Sequence, residues 1–337
     1  MTGKQSFILK EPPVIAAWSS VAGKKESEGP LCSSFDLVCE DSLFGQKTWE
    51  QAEKKMQQLA LDILAKKAGM NKNMFGLIYS GDLLNQCIGS SFALRNNGIA
   101  HLGLYGACST MAQSLLMAAM TVSSGCFDNV VAMTSSHFAS SERQFRFPLG
   151  YGGQRTPTAQ WTVTGSGAAL VVKKGKGPRI TACTVGTVTD YGIKDANNMG
   201  AAMAPAALST IRAHFQDLGV SADDYDLIVT GDLGNTGKEL LLMLAQREGL
   251  NIGGKLTDCG TLIFDVLKQD VHAGGSGCGC SAVTLCGYLL NRLNTGKLKK
   301  ILFCGTGALL SPTSTQQSLP IPGICHAVSI CGGDSID

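Results

Sequence analysis

Apolar positions along this chain switch repeatedly between helical spacing and short extended runs. From about Trp49 to Lys67, the residues Ala52, Met56, Leu59, Ile63 and Leu64 recur at helical spacing. The pattern then predicts strand Leu77–Ser80, a short helix near Gln86–Asn96, strand His101–Tyr105, a helix from Cys108 to about Ser124, and strand Val130–Thr134. An irregular stretch from about His137 to Gln160 precedes two more strands, Val163–Lys173 and Arg179–Val188. The order then recurs as helix Ala206–Leu218, strand Asp226–Thr230, helix Lys238–Glu248, an interruption, helix Cys280–Asn294 and strand Ile301–Cys304. Strands and helices alternating at these lengths predict an α/β protein with mainly parallel or mixed sheets covered by helices.

The recurrence extends to the residues themselves. Gly69 to Leu83 read G-M-N-K-N-M-F-G-L-I-Y-S-G-D-L, and Gly219 to Leu233 read G-V-S-A-D-D-Y-D-L-I-V-T-G-D-L. A second echo relates Gly106-Ala-Cys-Ser, opening an apolar helical run that ends at Gly125, to Gly277-Cys-Gly-Cys, whose run ends at Gly296. The second echo is displaced relative to the first, so the later copy carries an insertion near 250–271. Halves of this size exceed a solenoid repeat. They predict a duplicated βαβαβ unit, with residues 1–190 forming one half and 191–337 the other. Ligands of such sheets sit beyond the carboxyl ends of strands. Those ends carry Gly81-Asp82, Gly106-Ala-Cys108, Ser135-Ser-His137, Gly231-Asp232, Gly275-Ser-Gly277 and Gly305-Thr-Gly307.

Composition narrows the function. The chain has 337 residues, 41 of them glycine, and 44% are hydrophobic against 16% charged, which suits a compact body with many tight turns. A net charge of +2 offers no electrostatic case for nucleic acid or anionic membranes. No apolar run is long enough for a membrane span, and the N-terminus lacks the features of a signal peptide, so a soluble protein is expected. Thirteen scattered cysteines suggest small core residues in a reducing compartment. Cys278-Gly-Cys280 has no accompanying pair at zinc-ligand spacing, so no metal site is expected. No phosphate-binding or dinucleotide fingerprint is present.

Cys108 falls between a predicted strand and a helix, where a helix N-terminus would favour its thiolate. The plainer reading is a buried cysteine at a helix start. The irregular segment concentrates Arg143, Gln144, Arg146, Tyr151, Gln154 and Arg155, and arginine forks match carboxylates two hydrogen bonds at a time. The same arginines could instead pair with local acids or a partner subunit. Asp82 and Asp232 occupy equivalent strand ends, as turn caps or as pocket residues. His137 could donate to a ligand or to the loop backbone.

These features resemble the thiolase superfamily, including the ketoacyl synthases, through the duplicated halves, Gly106-Ala-Cys-Ser109 and Cys304-Gly-Thr-Gly307. Gly81-Asp-Leu-Leu-Asn-Gln86, Ser135-Ser-His137, Glu142-Arg-Gln-Phe-Arg146, Tyr151-Gly-Gly-Gln154, Val163-Thr-Gly-Ser-Gly167, Ala273-Gly-Gly-Ser-Gly-Cys278 and Gly307-Ala-Leu-Leu-Ser-Pro312 resemble, more narrowly, the stage V sporulation protein AD family. The resemblance implies a thiolase-like, five-layer αβαβα fold. It also implies binding of dipicolinic acid (pyridine-2,6-dicarboxylate) by a component of the sporulation and germination system that moves calcium dipicolinate into and out of the spore. It further implies no cofactor, calcium at most as the counter-ion, stage V A membrane proteins as partners, a homodimer, and a soluble or peripheral location at the spore inner membrane. The ligand site would draw on Asp82, Cys108, Ser135, His137, Arg143, Gln144, Arg146, Tyr151, Asp232 and Ser276. The alternative is an acyltransferase with Cys108 as nucleophile and His272 as its partner; a third reading is an adaptor with a vestigial pocket. Condensing enzymes place a proton-handling residue where this chain has Asp232, and an ionised carboxylate there would repel an oxyanion. The expectation is therefore a binding protein.

Overall fold

The computed structural model describes residues 3–145 and 155–333. Its first half runs β1 (Ser6–Ile8), β2 (Val14–Gly23), the single turn α1 (Lys24–Ser27), β3 (Leu37–Cys39), α2 (Trp49–Ala68), β4 (Leu77–Gly81), α3 (Ile88–Leu94), β5 (Ala100–Gly103), α4 (Thr110–Ser123), β6 (Asn129–Ser136), α5 (Phe138–Phe145), β7 (Trp161–Thr162) and β8 (Gly165–Val172). The second half runs β9 (Arg179–Thr184), α6 (Met199–Leu218), β10 (Leu227–Thr230), α7 (Gly234–Arg247), β11 (Leu256–Asp258), α8 (Cys259–Ile263), β12 (Gly275–Ser276), α9 (Cys278–Thr284), β13 (Lys300–Ala308) and β14 (Gly323–Cys331).

The glycines of the first echo are helix stops. Helices α2 and α6 each span 20 residues, start at Thr48 and Asn198, whose side chains accept from the first turn, and end at left-handed Gly69 (φ 63°) and Gly219 (φ 66°). Only glycine adopts that conformation without a steric penalty. Helix α6 begins seven residues before the expected Ala206, because Pro205 lies inside it. Pro205 removes one backbone bond, and the helix survives by burying Ala202, Met203, Ala206 and Ala207.

The sheet order is β11-β10-β13-β14-β9-β2-β8-β6-β4-β5. Read outward from the central β9–β2 join, both halves follow one scheme. The two strands nearest the join pair antiparallel and the outer three pair in parallel. At the join β2 meets β9 in one antiparallel pairing, Val14 with Arg179, and β1 extends the same edge of β9 by pairing Ser6–Ile8 with Ala182–Thr184. Strand β9, placed by sequence at the end of the first half, thus belongs to the second set of strands. Of the expected insertion, β11 is the counterpart of β5, and the added residues follow it.

Alternate residues of one strand face different helix layers. In β6, Val131 and Met133 pack with Met56 and Leu64 of α2, whereas Val130 and Ala132 pack with Met111 and Leu115 of α4. In β13, Leu302 and Cys304 face α6, while Ile301 and Phe303 face the α4 side. Helices α4 and α9 therefore form a shared central layer, with α2 and α6 outside, giving the five layers αβαβα. Each large side chain buried this way contributes roughly 1.5–3 kcal/mol. No helix among the described residues is long and apolar enough to cross a membrane.

Candidate functional site

Cys108 sits in a helical turn (Ala107–Ser109) at the start of α4, reached through Ala107 in a left-handed conformation (φ 51°). The turn is tight because glycines meet there: a Cβ on Gly307 would lie 2.9 Å from the Gly106 carbonyl oxygen. The sulfur is buried, with Leu83, Cys278 and Phe145 packed around it.

The expected thiolate is not what this environment favours. Burial pushes the Cys108 thiol well above its ordinary value, and the neighbouring Asp232 carboxylate raises it further. A helix start favours a thiolate only where desolvation and nearby negative charge do not outweigh it. Asp232 accepts from the backbone N–H of Gly277 (2.9 Å), Ser276 Oγ (3.3 Å) and Thr306 Oγ1 (2.9 Å). Its own burial raises it to about 6 despite these donors. Cys108, Asp232 and Ser276 thus come together, from both halves of the chain.

The other candidates are spoken for. Asp82 Oδ2 accepts from the backbone and hydroxyl of Ser90 (2.8 and 2.7 Å), and Oδ1 from Leu84 N (3.0 Å), so it caps its own turn and the start of α3. His137 bonds the Ser42 carbonyl through Nε2 (2.8 Å) and accepts from Ala139 N at Nδ1 (3.2 Å). With both ring nitrogens engaged it has no donor left for a ligand, and burial lowers its pKa. His272 turns to Asp270 (3.2 Å), an acid shared with Arg155 (2.7 Å), rather than completing a site with Cys108. Ser135 bonds Glu53 (2.9 Å) and Gln57 (2.7 Å). Arg146 and Tyr151 lie outside the described residues.

Arg143 pairs with Glu50 and stands over Trp49, 5.6 Å from the ring centre. Gln144 bridges the loop after β4, accepting from Asn85 N and donating to the Leu83 carbonyl, both at 2.8 Å. Together with Leu84, Asn85, Ile88 and Ser140 they line a cleft of about 340 Å³. The cleft shares its wall with the elbow, since Leu83 and Phe145 flank these residues and pack on Cys108. Helix α5 is held over this region at its other end by Phe138, stacked on Trp161 with ring centres 3.8 Å apart. A hollow of about 440 Å³ near Leu242, Gln246 and Ile252 lies at the far end of α7 and has no charged lining residue.

Sequence reasoning passed over a set of buried acids. Glu26 is driven to about 7, Glu53 to about 8 and Asp258 to about 7, in each case chiefly by burial. Glu53 and Gln57 fall on the same apolar face of α2 as Ala60 and Leu64, and that spacing could have revealed them. Among the described residues no three His, Cys, Asp or Glu side chains could hold a metal ion.

In fold the chain is similar to solved condensing enzymes. The 3-oxoacyl-[acyl-carrier-protein] synthase III of Aquifex aeolicus is 13% identical, covering 95% of this chain and 99% of that one, with a TM-score of 0.56. A crystal structure of Xanthomonas campestris OleA is 13% identical, covering 96% of this chain and 99% of that one, with a TM-score of 0.61. At such identities the likeness is one of fold. The family model for stage V sporulation protein AD matches residues 3–331. The stage V sporulation protein AD of Bacillus subtilis (strain 168) is 43% identical over 328 residues, covering 97% of each chain. On both counts the chain belongs to the stage V sporulation protein AD family, a family of sporulation proteins with the thiolase-like fold.

Proposed function

We propose that the protein binds dipicolinic acid as a component of the system that moves calcium dipicolinate into and out of the spore. The observation that carries this reading is the state of the elbow. Burial and Asp232 disfavour the Cys108 thiolate while His272 pairs with Asp270, which weakens the nucleophile and occupies the proton-handling partner that acyl transfer needs. The cleft beside it is lined by Arg143 paired with Glu50, by two side-chain amides and by the apolar Leu84 and Ile88, and a planar dicarboxylate would take the arginine fork by displacing Glu50. Calcium enters with the ligand as its counter-ion, and attachment to the spore inner membrane runs through stage V A membrane proteins. A homodimer fits the outer edge of β5, the end of the sheet, where Leu102 and Tyr105 are each 52% exposed.

Calorimetric titration with dipicolinate, with and without calcium, tests the reading. Binding is expected in the parent, about tenfold weaker in Arg143→Ala and in Gln144→Ala, equivalent to about 1.4 kcal/mol each. Absence of binding, or affinity equal to the parent's in both variants, rejects this site. An acyl-enzyme trapped at Cys108 would favour the acyltransferase alternative.

A further inference from the structure

We propose that the elbow is a carboxylate-binding cradle that the chain keeps filled with its own Asp232 side chain, and that a free carboxylate takes that place once the side chain is removed. The inference does not depend on dipicolinate binding. Its basis is where the donors come from. Asp82 is capped mainly by its own turn, through Leu84 and Ser90. Asp232 instead receives Ser276, Gly277 and Thr306, which lie 44, 45 and 74 residues away, and it stands beside the Cys108 thiol of the other half.

Those donors are fixed by elements that do not include Asp232. Ser276 lies in β12, paired with Thr162 of β7, and Thr306 lies in β13. Gly277 has φ 98°, and a Cβ there would meet Ser136 Oγ at 2.7 Å, so its N–H is held in place. The site is fully buried, and among the described residues neither Lys nor Arg pairs with Asp232. Two hydroxyls and a backbone N–H aimed at one carboxylate out of water form a neutral anion seat, and leaving them without an acceptor is unfavourable. Asp232→Ala removes the carboxylate alone, so formate has the missing atoms; acetate matches the loss in Asp232→Gly. The neighbouring acid Asp258 is bound by Thr230, Leu233 and Gly234 and does not compete for these donors.

The test titrates Asp232→Ala with formate against chloride at constant ionic strength, reading the thermal midpoint and the rate of Cys108 alkylation. In the variant Cys108 is expected to alkylate faster than in the parent at pH 8, since the carboxylate that helps burial raise the thiol is gone. Formate should slow that reaction saturably and raise the midpoint. Asp232→Asn, whose amide fills the space, should also expose a more reactive thiol but show no response to formate. Formate acting no differently from chloride on Asp232→Ala, or acting equally on both variants, overturns the proposal. Should Asp232→Ala fail to fold, Asp232→Ser supplies the vacated site. A Cys108 no more reactive in Asp232→Asn than in the parent overturns it as well.

Discussion

Glu53 shows what a single buried side chain does to the whole stability profile. Its oxygens accept from Ser135 and Ser140 (2.9 and 2.7 Å), and among the described residues no cation pairs with it. Burial and the nearby Asp82 raise it from an ordinary 4.5 to about 8. Between those values the folded protein keeps a proton that the unfolded chain has lost. Stability therefore falls as pH rises through that window, by up to about 1.4 kcal/mol per pH unit for one such group. Glu26, Asp232 and Asp258 act in the same direction. Denaturant midpoints are expected to be higher at pH 5.5 than at pH 8, and Glu53→Gln should flatten the dependence without destabilising the protein at pH 8. A flat parent profile would show these acids to be ionised in the fold. Such behaviour is hard to read in a sequence, because residue type gives no measure of desolvation. Cys108 is the clearer case: its position at a helix start was legible, whereas its burial, and after it the carboxylate brought alongside from the other half, reversed the inference about its charge.

Helices and strands were more legible than their neighbours in space. The echo of Gly69 in Gly219 marked two equivalent helix ends, and the apolar runs marked the strands. Pro205 hid the first turns of α6, since propensity argues against a proline that burial tolerates. Contact between elements was invisible: a Cβ on Gly167 of β8 would lie 2.5 Å from the Ala282 carbonyl oxygen of α9. That distance forces either the strand or the helix to move, and backbone moves only with its whole element. Gly167→Ala is thus expected to destabilise the protein by about 1–3 kcal/mol, the usual range for overpacking. Chemical denaturation measures it, and a change under 0.5 kcal/mol, roughly the scatter of surface substitutions, would mean that the central layer yields easily.

At the scale of the molecule, the duplicated plan was legible and its asymmetry was partly so. The thiol stands in one half and the acid that governs it comes from the other, so neither copy holds the elbow alone. The two sets of strands meet along β9, which pairs with β1 over Ser6–Ile8 and with β2 at Val14, while the core between them is built from α4 and α9 together. That shared core, the pairing of β1 with β9 and the bonds from Lys4, Gln5 and Ser6 to Asp217 hold the sets together, and the link Lys173–Lys176 between them is exposed. The chain should therefore behave as two pieces that recognise each other. Cut at Lys174, each fragment would expose half of a core and aggregate when made by itself, whereas the two made together should find one another and yield a soluble complex. A fragment that is soluble and cooperatively folded by itself would show that the ancestral unit still stands alone.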